Sequence, residues 1–253
     1  MLKLETLEFD RNELVQIGIH RGSKSWKWNP AMRPFVYKKK RKTYFFDLEK
    51  IIYQCQGVNA YVDSLIQAKK KILFVATKDS IREIAKEEAI RCGMPYLVNK
   101  WKGGFLTNFE QIKKKIDWLR KLNRYTRSEN FQKLTAKKQA ELEKAQNKLN
   151  QLYEGVLDLN TTPEALFIIG LQKERTALQE AKNYNIAIPV IAVCNTDCNP
   201  KWVDYVLPGN DQEPKSVKFF TSLVADAIIK AKGGQIPEKE ESDKEEKVES
   251  EKE

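Results

Sequence analysis

The chain has 253 residues, enough to bury a sizeable core as one large domain or a domain with an appendage, and carries 45 Lys plus Arg against 35 Asp plus Glu, a formal net charge of +10. The charge is uneven: residues 238–253 hold nine acids and four lysines, net −5, so the residues before them carry +15, a surplus that points to a polyanionic partner. Four scattered cysteines argue against a disulfide-stapled secreted domain and for reduced thiols in a cytosol; acids throughout the first twenty residues and the lack of any long apolar run argue against a signal peptide and a membrane span.

In chain order, residues 20–42 read HRGSKSWKWNPAMRPFVYKKKRK. Arg21, Lys24 and Lys27 alternate with Trp26 and Trp28, Asn29-Pro30 and Arg33-Pro34 stiffen the backbone, and Lys38, Lys39, Lys40, Arg41 and Lys42 follow as consecutive cations. Basic, aromatic and proline-broken, the stretch suits an extended arm along a phosphate surface. A solvated charged loop accounts for the lysines and leaves the tryptophans unexplained. KTYFFDLEKI (42–51) then reads as a strand leading into a helix.

KILFVAT (71–77) is a short apolar run of strand type. In the following residues 78–94, Ile81, Ile84, Ala85 and Ala89 share one helical face and Gly93 marks the stop. KWKGGFLTN (100–108) sets Lys100, Trp101 and Lys102 on a tight turn, with Thr107 or Asn108 to cap the next helix. Phosphate can meet both lysines and backbone N–H groups there, while Trp101 is expected to pack as a wedge.

Residues 107–154 show no strand signal. Phe109, Ile112, Ile116 and Leu119, and then Leu142, Ala145, Leu149 and Leu152, repeat at three-four-three spacing on either side of the break RYTRSENFQKLT. That pattern predicts an antiparallel two-helix hairpin with a narrow apolar seam and lysine-rich outer faces. ALFIIG (165–170) is the next strand, QKERTALQEAKNYN (172–185) a helix, IPVIAVCN (188–195) a strand and DYVLPGND (204–211) a short strand with a turn. PKSVKFFTSLVADAIIKAK (214–232) closes the series, with Val217, Phe220, Leu223, Val224, Ala227 and Ile228 on one face before Gly233-Gly234. Such alternation predicts a parallel sheet with helices on both faces. The expected division is an α/β domain from 1–106 and 155–234, a hairpin insertion at 107–154 and a disordered acidic tail at 235–253.

Catalytic parts are missing. No G-x-G-x-x-G, G-x-x-x-x-G-K-[ST] or G-x-S-x-G occurs, and His20, the only histidine, reads as a shape-setting loop residue. Cys194 and Cys198 form a lone C-x3-C, weak as a metal motif, and Asp197 and Asp204 are loop acids without an assigned role. No catalytic residue, metal or cofactor is expected. The rival reading is an α/β enzyme binding a nucleotide or other phosphorylated small molecule near Gly103-Gly104.

Across residues 18–231 the ordered blocks GIHRGSKSWKWNPAMRPFVY, ILFVATK, EEAIRCGMPY, KWKGGFLTNF, PEALFIIG, ALQEA, IPVIAVCNTDCNP and VLPGND resemble the small-subunit ribosomal protein two family of bacterial and organellar type. Ser23, Gly170 and Asn195-Thr196-Asp197 depart from its usual pattern, which bears on any metal or polar pocket that relatives build from those positions. The resemblance implies a flavodoxin-like three-layer parallel sheet with a protruding antiparallel two-helix hairpin. It further implies a non-catalytic ribosomal constituent that binds small-subunit (16S-type) rRNA between head and body. Expected partners are neighbouring small-subunit proteins, including the large ribosomal protein one, with no membrane and no homo-oligomer. The expected compartment is the bacterial cytoplasm, or else an organelle matrix. The cations expected to meet RNA are Arg21, Lys24, Lys27, Lys38, Lys39, Lys40, Arg41, Lys42, Lys100 and Lys102, with Lys113, Lys114 and Lys115 as weaker candidates.

Overall fold

The computed structural model describes residues 11–183 and 185–234; the acidic tail expected at 235–253 lies outside the described residues. After α1 (Arg11–Gln16) come β1 (Arg21–Lys24), two 3-10 turns (Ser25–Lys27 and Pro30–Phe35), β2 (Val36–Lys40), β3 (Thr43–Phe46) and α2 (Leu48–Gln67). Then follow β4 (Ile72–Val75), α3 (Arg82–Cys92), β5 (Tyr96–Leu97), α4 (Phe109–Tyr125), α5 (Glu129–Gln132) and α6 (Ala136–Tyr153). The chain continues through β6 (Ala165–Ile169), α7 (Arg175–Ala181), β7 (Val190–Cys194), a 3-10 turn (Pro200–Trp202), β8 (Tyr205–Pro208) and α8 (Pro214–Ala231).

β4, β6 and β7 are buried at every position, which is why their sequences read as unbroken apolar runs: a strand covered on both faces has no polar side to show. They form the centre of a parallel sheet in the order β5-β4-β6-β7-β8, in register Ile72 with Ala165 and Leu166 with Val190. Numbered within the sheet this is the order 2-1-3-4-5 of flavodoxin-like folds. α3 links β4 to its neighbour on one side, whereas α7 links β6 to its neighbour on the other. Right-handed crossovers therefore put these helices on opposite faces, giving three layers. α8 packs against both α2 and α3.

α2 starts where the Asp47 carboxylate accepts from Glu49 N (3.1 Å), and it buries Ile51, Cys55, Val58, Val62, Leu65 and Ile66 along one stripe. Each such side chain contributes about 1.5–3 kcal/mol of burial. α3 stops at Gly93, whose φ of 65° is the left-handed cap expected from the sequence.

Between β5 and β6, α4 buries Ile112, Ile116, Leu119 and Leu122 and packs on α6. Gln146 Nε2 donates to Asn123 Oδ1 (2.7 Å) and Thr126 Oγ1 (3.2 Å), while Gln139 Nε2 donates to Phe131 O (2.9 Å). Partners recede along the second segment as the first advances, the order of an antiparallel pair.

Several details differ from the sequence expectation. Ala145, expected in the seam, is exposed, and Gln146 takes the inward place with hydrogen bonds to α4. The break between the helices contains α5, pinned by buried Phe131 against Tyr125 at 6.2 Å. α7 begins three residues later than expected because Lys173 and Glu174 bond Thr77 instead of continuing a helix. β5 was not expected: with two residues it carries no periodicity, and only its pairing with β4 makes it a strand. Residues 20–42 do not form a free arm, since β1, β3 and β2 make a three-stranded antiparallel sheet.

Candidate nucleic-acid interface

That small sheet is the largest cluster of expected contact residues. β2 pairs with β3 at one edge, Lys40 opposite Thr43, so that Arg41 and Lys42 form the turn, Arg41 with a left-handed φ of 54°. A strand with one face on a core alternates buried and exposed side chains; β2 instead exposes Tyr37, Lys38, Lys39 and Lys40 in succession. Arg21, Lys24, Lys27, Arg41 and Lys42 are exposed as well. Lys24 lies over Trp26 (5.0 Å to the ring centroid), Lys38 over Tyr37 (5.0 Å) and Lys39 over Tyr44 (5.6 Å). Tyr37, Lys38 and Lys40 also line a cleft of about 630 Å³ shared with Arg11, His20 and Phe45.

The sheet is fixed to the domain by polar contacts from the far end of the chain. Ser23 N donates to Asn195 Oδ1 (2.9 Å) and Thr196 Oγ1 (2.8 Å), Asn29 N to Thr196 O (2.8 Å), and Asn195 Nδ2 to Asp211 Oδ1 (2.7 Å). Burial holds the Asp211 carboxyl above its ordinary range. Gly22 has to be glycine, because a Cβ there would stand 2.4 Å from Thr196 Cγ2 and 2.9 Å from Tyr44 O. Trp28 stacks on Tyr44 (4.9 Å, 26°), and Asn29 Oδ1 accepts from Ala31 N (3.0 Å) to start the Pro30–Phe35 turn. His20 packs on Phe45 at 5.5 Å, and burial lowers its pKa, so it adds no cation at neutral pH. Ser23 and Asn195, where the sequence departs from the family pattern, thus meet in one hydrogen-bonded joint.

Lys100 and Lys102 follow β5, at the edge of the sheet opposite β8, and stay apart from this cluster. Lys100 is exposed, Lys102 half-buried, and Trp101 is a buried wedge on Phe105 (5.0 Å), as the sequence predicted. The backbone N–H groups of this turn, expected to be open to phosphate, are already used. Buried Glu180 accepts from Trp101 Nε1 (3.1 Å), Gly104 N (2.8 Å) and Leu106 N (2.9 Å).

A second carboxylate fills the place where doubly wound sheets hold nucleotides, the crevice at the carboxyl ends of neighbouring strands where the order reverses. Beyond β4, Thr77 N (3.0 Å) and Thr77 Oγ1 both donate to buried Glu174, and Lys173 Nζ donates to Thr77 O (2.8 Å). The two spots that would cradle a phosphate are therefore occupied by the protein's own acids. Sequence reading passed over both residues. The available signal was an acid at Glu180 beside Ala177, Leu178 and Ala181, on the buried side of α7.

Cys194 and Cys198 are both buried, and the hydrogen bond between them, together with burial, raises the Cys198 pKa, keeping that thiol protonated. Among the described residues no group of three His, Cys, Asp or Glu side chains is placed to hold a metal. Lys113, Lys114 and Lys115 are exposed on α4.

The profile of the family described as Ribosomal protein S2 matches residues 14–231 of the chain. The chain is also similar to the small ribosomal subunit protein uS2 of Coprothermobacter proteolyticus, at 38% identity over 222 residues that cover 88% of this chain and 82% of that protein.

Proposed function

The chain belongs to the ribosomal protein S2 family, structural and non-enzymatic proteins of the small ribosomal subunit, and on that premise we propose that it holds small-subunit rRNA through its three-stranded basic sheet. One observation carries this reading. Arg21, Lys24, Lys27, Lys38, Lys39, Lys40, Arg41 and Lys42 are all exposed on a sheet fixed to the core, and among the described residues none of them is in an ion pair. Cations without an internal ion pair are free to neutralise phosphates, which then release their condensed counterions. The anchored joint at Ser23, Asn195 and Thr196 sets their orientation before RNA arrives, so little ordering cost falls on binding.

Lys100 and Lys102 add a smaller contact at the other edge, through side chains alone, with Lys113, Lys114 and Lys115 as weaker points on α4. The binding place is between head and body of the subunit, in a bacterial cytoplasm, where the protein also helps retain neighbouring proteins including the large ribosomal protein one. Within this reading residues 107–154 form an inserted hairpin on an α/β domain of residues 1–106 and 155–234. Residues 235–253 supply an acidic tail of net negative charge. The test is sedimentation of affinity-tagged protein with ribosomal particles, followed by ultraviolet crosslinking. It is expected to co-sediment with small subunits and to crosslink to their RNA through peptides of residues 20–42. Protein that stays free in cells making ribosomes refutes the proposal.

A further inference from the structure

A second aromatic and basic site lies outside every stretch that the sequence singled out for RNA. Between α7 and the Pro200–Trp202 turn is a cleft of about 510 Å³ lined by Arg175, Leu178, Gln179, Lys182, Lys201 and Trp202. Arg175 and Gln179 share the outer stripe of α7, with Lys182 at its C-terminal cap, while Ala177, Leu178, Glu180 and Ala181 are buried. Trp202 forms the opposite wall, 41% exposed, with the Arg175 guanidinium 6.0 Å from its ring centroid. Neither side chain is loose. Gln172 Oε1 accepts from Arg175 Nε (3.2 Å), and Gln172 Nε2 in turn donates to Asp197 O (2.6 Å). Asn199 Oδ1 accepts from Lys201 N (3.1 Å), starting the rigid Asn-Pro turn that ends at Trp202, just as Asn29-Pro30 starts the other one.

We propose that this cleft binds one unpaired nucleotide of RNA, its base stacked on Trp202 under Arg175 and its phosphate on Lys201. The proposal rests on the RNA-binding reading above and extends it from phosphates to bases. Lys182 is paired with Asp204 (2.6 Å), which leaves Arg175 and Lys201 as the uncompensated charges beside the ring. An aromatic face with cations around it fits a stacked base joined to a phosphate, and a base offers that face only when it is unpaired. Leu178 is the one aliphatic side chain in the lining and is itself 5% exposed, so the cleft offers an aromatic face and cations and little aliphatic surface for a protein anchor. The site also continues the basic sheet, because the Pro30–Phe35 and Pro200–Trp202 turns touch. Trp26, 66% exposed beneath Lys24, repeats the same cation-and-ring arrangement on that sheet.

The test uses the full chain and its Trp202→Ala, Trp202→Phe and Lys201→Gln variants, titrated with an oligoadenylate of about 12 nucleotides and with an RNA duplex of equal length, over a salt series. Trp202→Ala is expected to weaken single-strand binding about 5- to 150-fold, the loss of one stacked base, with an unchanged salt slope. Trp202→Phe recovers most of it, and duplex affinity stays within about twofold. Lys201→Gln lowers the slope by about one phosphate contact. Equal losses on both RNAs, or no loss on either, overturn the proposal. So does unchanged RNA affinity accompanied by loss of a neighbouring protein from subunits carrying Trp202→Ala, which makes the cleft a protein dock. Flat wild-type titrations on both RNAs remove the RNA-binding reading itself, whereas salt-dependent wild-type binding untouched by Trp202→Ala removes only this site.

Discussion

Replacing Lys38, Lys39, Lys40, Arg41 and Lys42 together with serine takes the charge off an edge strand and its turn without touching a buried side chain. Within the folded protein the change removes the placements of Lys38 over Tyr37 and Lys39 over Tyr44, worth about 0.5 kcal/mol each at exposed sites. Stability is thus expected to fall by about 1 kcal/mol, roughly 2–4 °C in Tm for a chain of this size. Binding responds far more. Each phosphate neutralised contributes about 0.7–0.9 to the slope of log K against log salt, so removing all these cations flattens it by about 3.5–4.5. The assay is association with small subunits stripped of this protein, followed over a salt series with a thermal melt as control. A variant that melts within a few degrees of wild type and keeps the wild-type slope refutes the assignment of RNA contacts to β2 and its turn. If it aggregates yet still associates with an unchanged slope, the lysines serve to guard an exposed strand edge instead.

Gly22→Ala leaves every charge in place but drives a methyl into Thr196 and the Tyr44 carbonyl, so it is expected to cost about 1–3 kcal/mol and to weaken subunit association at an unchanged salt slope. Normal association at a normal Tm contradicts the anchoring of the sheet at this joint. Glu180→Ala strands Trp101 Nε1, Gly104 N and Leu106 N, and the two buried donors among them, Trp101 Nε1 and Leu106 N, at about 1–3 kcal/mol each predict a loss of at least about 2 kcal/mol, read by calorimetry as a clear fall in Tm. Glu174 and Asp211 are held above their ordinary values of 4.5 and 3.8, chiefly by burial, so above those values the folded state binds more protons than the unfolded one. Their contribution to stability is full below the ordinary values and declines as pH rises through the raised ones. Glu174→Gln keeps an oxygen for Thr77 and removes its share of that decline, so its urea midpoint should gain on wild type between about pH 4 and pH 7. A constant difference across that range contradicts the raised carboxyl.

Much of the architecture was legible because the code for it is local. Apolar runs at 72–75, 165–169 and 190–194 announced strands buried on both faces, and the stripe from Val217 to Ile228 announced α8. Charge placement and the ordered blocks pointed to RNA and to the family without any tertiary information. The misses have a common cause. β5 is a strand only because β4 lies beside it, and Gln146 replaces Ala145 in the helix seam because Asn123 and Thr126 offer partners that spacing alone does not reveal.

The sequence by itself determined which residues are cationic, which runs are buried and that nucleotide-binding loops are missing. Only the tertiary structure decided that the basic stretch is a sheet docked by Ser23 onto Asn195, 172 positions away, and that Glu180 closes the lysine turn from 76 positions beyond Gly104. It also decided that Trp202 stands across a cleft from Arg175. Helix and strand patterns are written in neighbours a few residues apart, whereas a hydrogen bond between distant residues exists only after the sheet has brought them together. The basic sheet is docked by such bonds, which is why its charges could be read from the sequence and its geometry could not.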